Sequence, residues 1–315
     1  MPLRSNQIYS RFFFTAIAIL FISQFAMTQD KPQGSKTVTL RLDHVTVCGS
    51  NLDTLRQTFA VSGMAPDSGG PQANSVTQVT ILGFNDSTYI ELMAPAKLGA
   101  TDGSELAKFM YGNDGPCAWT VVTNSIQEEV DRLKQAGIVV KAPEHRSLKR
   151  SDGMSMEWTG ADVGTATPGA ILPSIIEDQT PRAWRAQTSA SVKDAPVTGI
   201  ANVVIGVTDL DAAIALFHKA YGWSDPLIQS QKDFGKLAYF PGEPVILAAP
   251  SGGGWLSDRI GKYGESPVAI LLNVRDFTTT SKKYKLSGGK NWFGQKVAWF
   301  EEGNLKSIHV GVIGQ

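Results

Sequence analysis

Apolar and polar residues alternate with a period of two across Leu40–Cys48 (LRLDHVTVC), the pattern of a strand with one buried face. On that count His44, Thr46 and Cys48 share one face, while Asp43, Val45 and Val47 share the other. The period then changes. Leu52, Leu55 and Phe59 stand at i, i+3 and i+7, which predicts an amphipathic helix over 51–61. The Gly-, Pro- and Ser-rich run 63–74 reads as loop, and two strands follow at 76–84 and 88–93, joined by a turn at Asn85-Asp86.

The same order returns three times. Strand 117–123 precedes a helix over 125–137 that ends in glycine; Val139-Val140 opens the next strand, and the turn Ser151-Asp152-Gly153 leads to strands at 154–159 and 170–177. A third copy runs strand 201–207, helix 210–221, strands 236–240 and 244–249. The fourth runs strand 268–274, helix 277–286, strands 295–301 and 305–313. Aligning the apolar residue that opens each helix (Leu52, Ile126, Leu210, Phe277) and stepping back eight positions gives His44, Ala118, Asn202 and Ala269 as equivalents. Four copies of one β-α-β-β(-β) unit predict an α+β protein of two domains, each a pair of units, at 38–180 and 198–315. The polar stretch 181–197, with Pro181, Ser189, Ser191 and Pro196, reads as the linker between them.

Composition narrows the partners. The 315 residues carry 29 basic and 29 acidic side chains, without a run of like charge, so nucleic acid is not an expected partner and a small molecule is. At the amino terminus, Arg4 and Arg11 precede the apolar run 12–22, whose length suits a signal-peptide core and falls short of the roughly 20 residues that span a bilayer. Residues 1–29 are therefore expected to direct export to the periplasm or beyond, as a cleaved signal or as a retained signal anchor, with 30–37 as linker. No other segment is expected to span a membrane. Cys48 and Cys117 stand on strands of opposite parity, which predicts that they do not pair.

Four segments carry a family likeness: Leu42-Asp43-His44-Val45, Tyr89-Ile90-Glu91-Leu92, Arg150-Ser151-Asp152-Gly153 leading to Trp158, and Leu172-Pro173 with Ile176-Glu177-Asp178. With the fourfold unit they resemble the vicinal oxygen chelate superfamily, in its glyoxalase-like branch; over the second half the resemblance is one of general form. It implies paired βαβββ modules forming cupped mixed β-sheet barrels, with a divalent metal ion in the cup held by first-strand and last-strand residues of each unit. Here it maps the metal onto His44 and Glu91, with Glu91 also the catalytic group. The partner unit offers Ala118 and residues 174–176, so a third ligand would have to come from Glu177 or His145. The second half offers Asn202, Ile246, Ala269 and His309, and reads as a diverged copy that shapes a pocket with Trp255, Trp292 and Trp299. Arg146, Arg150 and Trp158 are the candidate substrate-binding residues.

Two functions follow as expectations. One is metal-assisted lyase or isomerase chemistry on a carbonyl-containing or anionic small molecule, with Fe(II) dioxygenase chemistry disfavoured by the incomplete ligand set. The other is non-catalytic binding of the resistance-protein kind, favoured by the missing ligands. A homodimer is an arrangement open to either.

Overall fold

A computed structural model describes residues 40–67, 76–97, 99, 106–149, 153–301 and 305–314. The expected signal segment and linker at 1–37 lie outside the described residues, as does Arg150.

Each predicted repeat is present, and what unites the four is how the strands pair. In the first unit, β1 (Leu42–Cys48) leads through α1 (Leu52–Val61) to β2 (Thr77–Gly83) and β3 (Tyr89–Pro95). A short helix, α2 (Ala107–Met110), connects it to the second unit: β4 (Gly115–Val122), α3 (Ile126–Gln135), β5 (Glu144–Lys149), β6 (Ser155–Ala161) and β7 (Ser174–Asp178). The third unit is β8 (Val197–Gly206), α4 (Leu210–Tyr221), β9 (Leu227–Gln231), β10 (Gly235–Tyr239) and β11 (Val245–Ala249). After α5 (Trp255–Tyr263), the fourth is β12 (Ser266–Val274), α6 (Phe277–Tyr284), β13 (Lys290–Trp292), β14 (Gln295–Trp299), α7 (Leu305–Ile308) and β15 (Val310–Gly314). In every unit the last strand lies parallel to the first, and the first strands of paired units run antiparallel. Two mixed sheets result, seven strands in the order β2-β3-β1-β4-β7-β6-β5 and eight in the order β13-β14-β15-β12-β8-β11-β10-β9.

The equivalence drawn from the helix starts holds within each sheet. Thr46 pairs with Ala118 and His44 with Thr120; likewise Val204 pairs with Ala269 and Asn202 with Leu271. The residue two places beyond one member always faces the other, as a local two-fold requires. Leu305–Ile308 is helix where strand was expected, leaving only Val310–Gly314 to pair with β12. The sequence pattern also passed over α2, α5, β9 and β13, and the strand expected to open at Val139-Val140 begins instead at Glu144, Val140 making only an isolated bridge to Val163.

Helices α1, α3, α4, α6 and α7 pack in one apolar core that includes Val45, Val47, Leu55 and Phe59 from the first unit and Phe217, Leu272 and Val312 from the second half, whereas α2 and α5 pack in separate clusters. The inner faces of the sheets are then left to differ. In the second sheet the concave face is filled: Phe234 stacks on Trp299 at 4.9 Å and meets Trp292 edge-on at 5.0 Å, with Leu237, Ile246, Ala269 and Leu271 around them. Its outer strands are tied together by glutamines, because Gln229 and Gln231 of β9 both donate to the Asn291 carbonyl of β13 at 2.8 Å, and Phe293 N donates to Gln229 Oε1 at 2.7 Å. Of the three tryptophans expected to line a pocket here, Trp292 is buried in this plug and Trp255 lines a separate cavity with Phe234, Gly252, Gly253 and Gly254.

Candidate functional site

The first sheet keeps its concave face free. Its outer strands β2 and β5 are not paired, and the small apolar cluster of Val79, Leu148 and Met156 brings β2 close to β5 and β6 without backbone bonds. Behind that cluster lies a cavity of about 270 Å³. Alternation supplies its lining: His44 and Thr46 from β1, Tyr89, Glu91 and Met93 from β3, Ala118 and Thr120 from β4, and Ser174 and Ile176 from β7 all stand on one face of the sheet. Arg146 on β5 and Trp158 on β6, directly opposed in register, complete the wall. Four of the expected site residues, His44, Glu91, Arg146 and Trp158, are thus brought together.

One departure from alternation decides the chemistry of the floor. Between Leu42 and His44 the pairing of β1 with β4 slips by one residue, leaving Asp43 as the extra residue of a bulge. Asp43 therefore does not follow Val45 and Val47 into the outer core. It is fully buried, and its Oδ2 lies 2.6 Å from His44 Nδ1. Two arginines from the stretch expected as a linker close on the same carboxylate. Arg182, in a short 3-10 turn (Arg182–Trp184), donates to Oδ1 and to the Ser87 carbonyl; Arg185 donates to Oδ2 at 2.7 Å and to Oδ1 at 3.2 Å. The remaining N–H groups of Arg185 reach the Tyr89 hydroxyl at 2.6 Å and Asp178 at 2.6 and 3.0 Å. Burial alone would push the Asp43 carboxyl up; the hydrogen bond to His44 and the charge of Arg185 overturn that and hold it well below the ordinary carboxylate range. Burial likewise raises the Tyr89 phenol, which stays neutral. Its ring stacks on His44 at 4.6 Å and 19°.

The stretch carrying these arginines is docked on the sheet. Ser189 and Gly83 exchange hydrogen bonds, Ser189 N to the Gly83 carbonyl at 2.9 Å and Gly83 N to Ser189 Oγ at 3.0 Å. A Cβ on Gly83 would sit 1.8 Å from the Gln187 carbonyl oxygen, so this close approach admits only glycine.

Glu91 sits across the floor from His44. It is partly exposed to the cavity, and one oxygen accepts from Thr46 Oγ1 at 3.1 Å. The residues expected as a third metal ligand are elsewhere. Glu177 accepts from Ile126 N at 2.9 Å and so caps α3, doing the work that the Ser125 side chain leaves undone. His145 points outward, 61% exposed and 4.0 Å from Glu157. The second unit contributes Ala118, Ser174 and Ile176 at the corresponding place. Among the described residues no three of His, Cys, Asp and Glu come together to hold a metal ion, and the two donors His44 and Glu91, both from one unit, fall short of the three or four protein ligands of a divalent-ion site. In the second sheet the corresponding positions are consumed by structure. Asn202 Nδ2 donates to the Glu243 carbonyl at 3.3 Å, Ile246 and Ala269 are fully buried, and His309 stacks on Trp255 at 3.8 Å.

Cys48 and Cys117 form a disulfide, with Cα atoms 5.8 Å apart. Parity counting forbade it because it assumed unbroken alternation. A second slip, between Thr46 and Val47, leaves Cys117 as the extra residue on β4 and brings its sulfur to Cys48. The bond is buried beside Phe109 and Met110, and Met110 in turn lines the cavity.

A family model described as a glyoxalase-like domain matches residues 42–221, from the first residue of β1 to the last of α4. The chain belongs to the glyoxalase-like domain family. The match covers the whole first sheet with its cavity and the connector that carries Arg182 and Arg185. Solved structures extend the likeness to both sheets. A hypothetical protein from Staphylococcus aureus is 13% identical with a TM-score of 0.58, over 87% of this chain and 98% of that one. A variant of 4-hydroxymandelate synthase from Streptomyces coelicolor is 10% identical with a TM-score of 0.59, over 87% of this chain and 92% of that one. At such identities the likeness is one of fold, which confirms the vicinal oxygen chelate architecture. No curated protein matches the sequence. No helix among the described residues is long and apolar enough to cross a membrane.

Proposed function

We propose that this glyoxalase-like protein binds a small carbonyl-containing molecule in the cup of its first sheet and moves a proton on it, as an isomerase or lyase. The observation that carries this reading is the cavity itself: two proton-transfer groups, His44 and Glu91, face one cavity whose remaining wall mixes apolar side chains with Thr46, Thr120, Arg146 and Asp162. Met93, Met110, Met156 and Trp158 supply adaptable apolar contact for the body of the ligand, and Arg146, paired with Asp162 at 3.5 Å, adds a polar contact on the same wall. His44 and Glu91 are the groups proposed to exchange protons with the substrate, Glu91 by giving one back to it. No step is assigned to a divalent ion, since the described donors do not complete a site for one.

Export is part of the proposal. It is supported by the apolar amino-terminal run and by the Cys48–Cys117 disulfide, a bond that persists in oxidising compartments.

The test is proton exchange. Hydroxyketones and 2-oxo acids are incubated with the protein in D2O, and deuterium entering the carbon next to the carbonyl is followed by NMR. Binding and exchange are expected for the wild type, with exchange lowered at least about 100-fold in Glu91→Gln and binding retained. Binding without exchange in the wild type would favour the second reading, a sequestering protein, for which the missing partner-unit ligands speak. Failure to bind any of them would overturn both.

A further inference from the structure

We propose that His44 is the proton acceptor of the cup and that Asp43, clamped by Arg182 and Arg185, is the positioning residue that makes it one. This rests on the proton-transfer reading of the same cavity. The geometry is specific. Asp43 is fully buried and is contacted by two guanidinium groups, so its oxygens act only as acceptors. The proton between it and His44, across 2.6 Å, therefore belongs to Nδ1. A neutral ring with its proton on Nδ1 carries a lone pair on Nε2, and the ring stands on the cavity wall. The ring cannot turn away, because Tyr89 stacks on it and the Tyr89 hydroxyl is held by the same Arg185 that holds Asp43. One arginine from the connector thus fixes both the carboxylate edge and the aromatic face of the imidazole. The bulge at Asp43 is what takes its carboxylate out of the outer core and sets it beside His44.

The chemistry balances without a redox partner. Nε2 takes a proton from the carbon next to a carbonyl, the C–H electron pair moves into the C–C bond, and the carbonyl oxygen becomes an enolate. The resulting imidazolium is offset by Asp43. Return of a proton from Glu91 to the opposite face or the neighbouring atom completes an isomerisation.

A purely structural role for the cluster, pinning the connector to the sheet, predicts no particular tautomer, so the tautomer decides. Two-bond 1H–15N correlation spectra of protein labelled in histidine are recorded without any ligand, which keeps this test independent of substrate. The wild type is expected to show His44 protonated on Nδ1 when neutral. In Asp43→Asn the amide oxygen is expected at the position where both arginines donate, leaving its NH2 to face His44 and forcing the proton to Nε2. Protein that folds with His44 switched to the Nε2–H form supports the proposal, as does loss of deuterium exchange with retained binding in the assay above. A wild-type Nε2–H form, or a tautomer unchanged in Asp43→Asn, overturns it. Should Asp43→Asn not fold, Arg182→Gln serves at a partly exposed position: the His44 Nδ1 proton resonance is expected to move, and an unmoved resonance counts against the clamp.

Discussion

Asp43 shows how far a single residue's role depends on its neighbours. A fully buried carboxylate without partners would cost several kcal/mol, yet here two arginines and an imidazole hold it charged. Its folded pKa lies below the unfolded value, so it contributes stability above about pH 4, and that contribution is lost as the pH falls through the folded value. Acid unfolding should accordingly be shallower in Asp43→Asn than in the wild type, as circular dichroism against pH would show. His309 behaves alike for the opposite charge. Burial against Trp255 lowers it to about 4, so the stability it lends is complete above the unfolded value near 6.5 and drains away as the pH falls toward 4. His309→Gln is expected to flatten the stability profile between pH 6.5 and 4; an unchanged slope would contradict the burial argument. For the cysteines, Cys48→Ser with Cys117→Ser should lower unfolding free energy by about 2–5 kcal/mol, measured in urea, because the bond closes a loop across 69 positions.

Among the elements, the contrast between the two concave faces matters most. Both sheets come from the same paired unit, with the same antiparallel centre and parallel flanks. One is plugged by Phe234, Trp292 and Trp299 and zipped by Gln229 and Gln231; the other is bridged only by Val79, Leu148 and Met156. Side-chain contact without backbone bonds opens more easily than a hydrogen-bonded edge, so the β2/β5 seam is where a ligand would pass. Replacing Gln229 and Gln231 together by alanine should raise amide hydrogen exchange in β9 and β13 while leaving exchange in β2 and β5 unchanged. Trp292→Ala, deep in the plug, should cost about 3–5 kcal/mol of stability.

At the scale of the whole chain, one cup carries the proposed chemistry and the other serves as scaffold. Calorimetric titration with a ligand identified in the exchange assay should therefore give one site per chain, and a second site of like affinity would argue that the aromatic plug yields. The connector is built into the first cup, since Arg182 and Arg185 reach its floor before the chain enters β8. Metal analysis of the purified protein should show no stoichiometric divalent ion, with His44→Ala leaving the content unchanged; one ion per chain lost in that variant would restore the metal site.

What the sequence determined by itself was whatever depends on local periodicity. The two-residue and 3.6-residue patterns placed the four repeats, and counting back from Leu52, Ile126, Leu210 and Phe277 found positions that the strand pairing relates by a local two-fold. Glu91 was legible as a carboxylate on an otherwise apolar strand, and His44 from its first-strand place in the repeat and the family likeness. Asp43, Arg182 and Arg185 were not, because their meaning lies in a one-residue slip and in contacts across 139 and 142 positions. The disulfide was misread for the same reason: parity assumes a regular ladder, and a bulge shifts every inference drawn beyond it. Which cup stays open was likewise decided in three dimensions, by whether side chains from distant strands meet in the middle of the sheet.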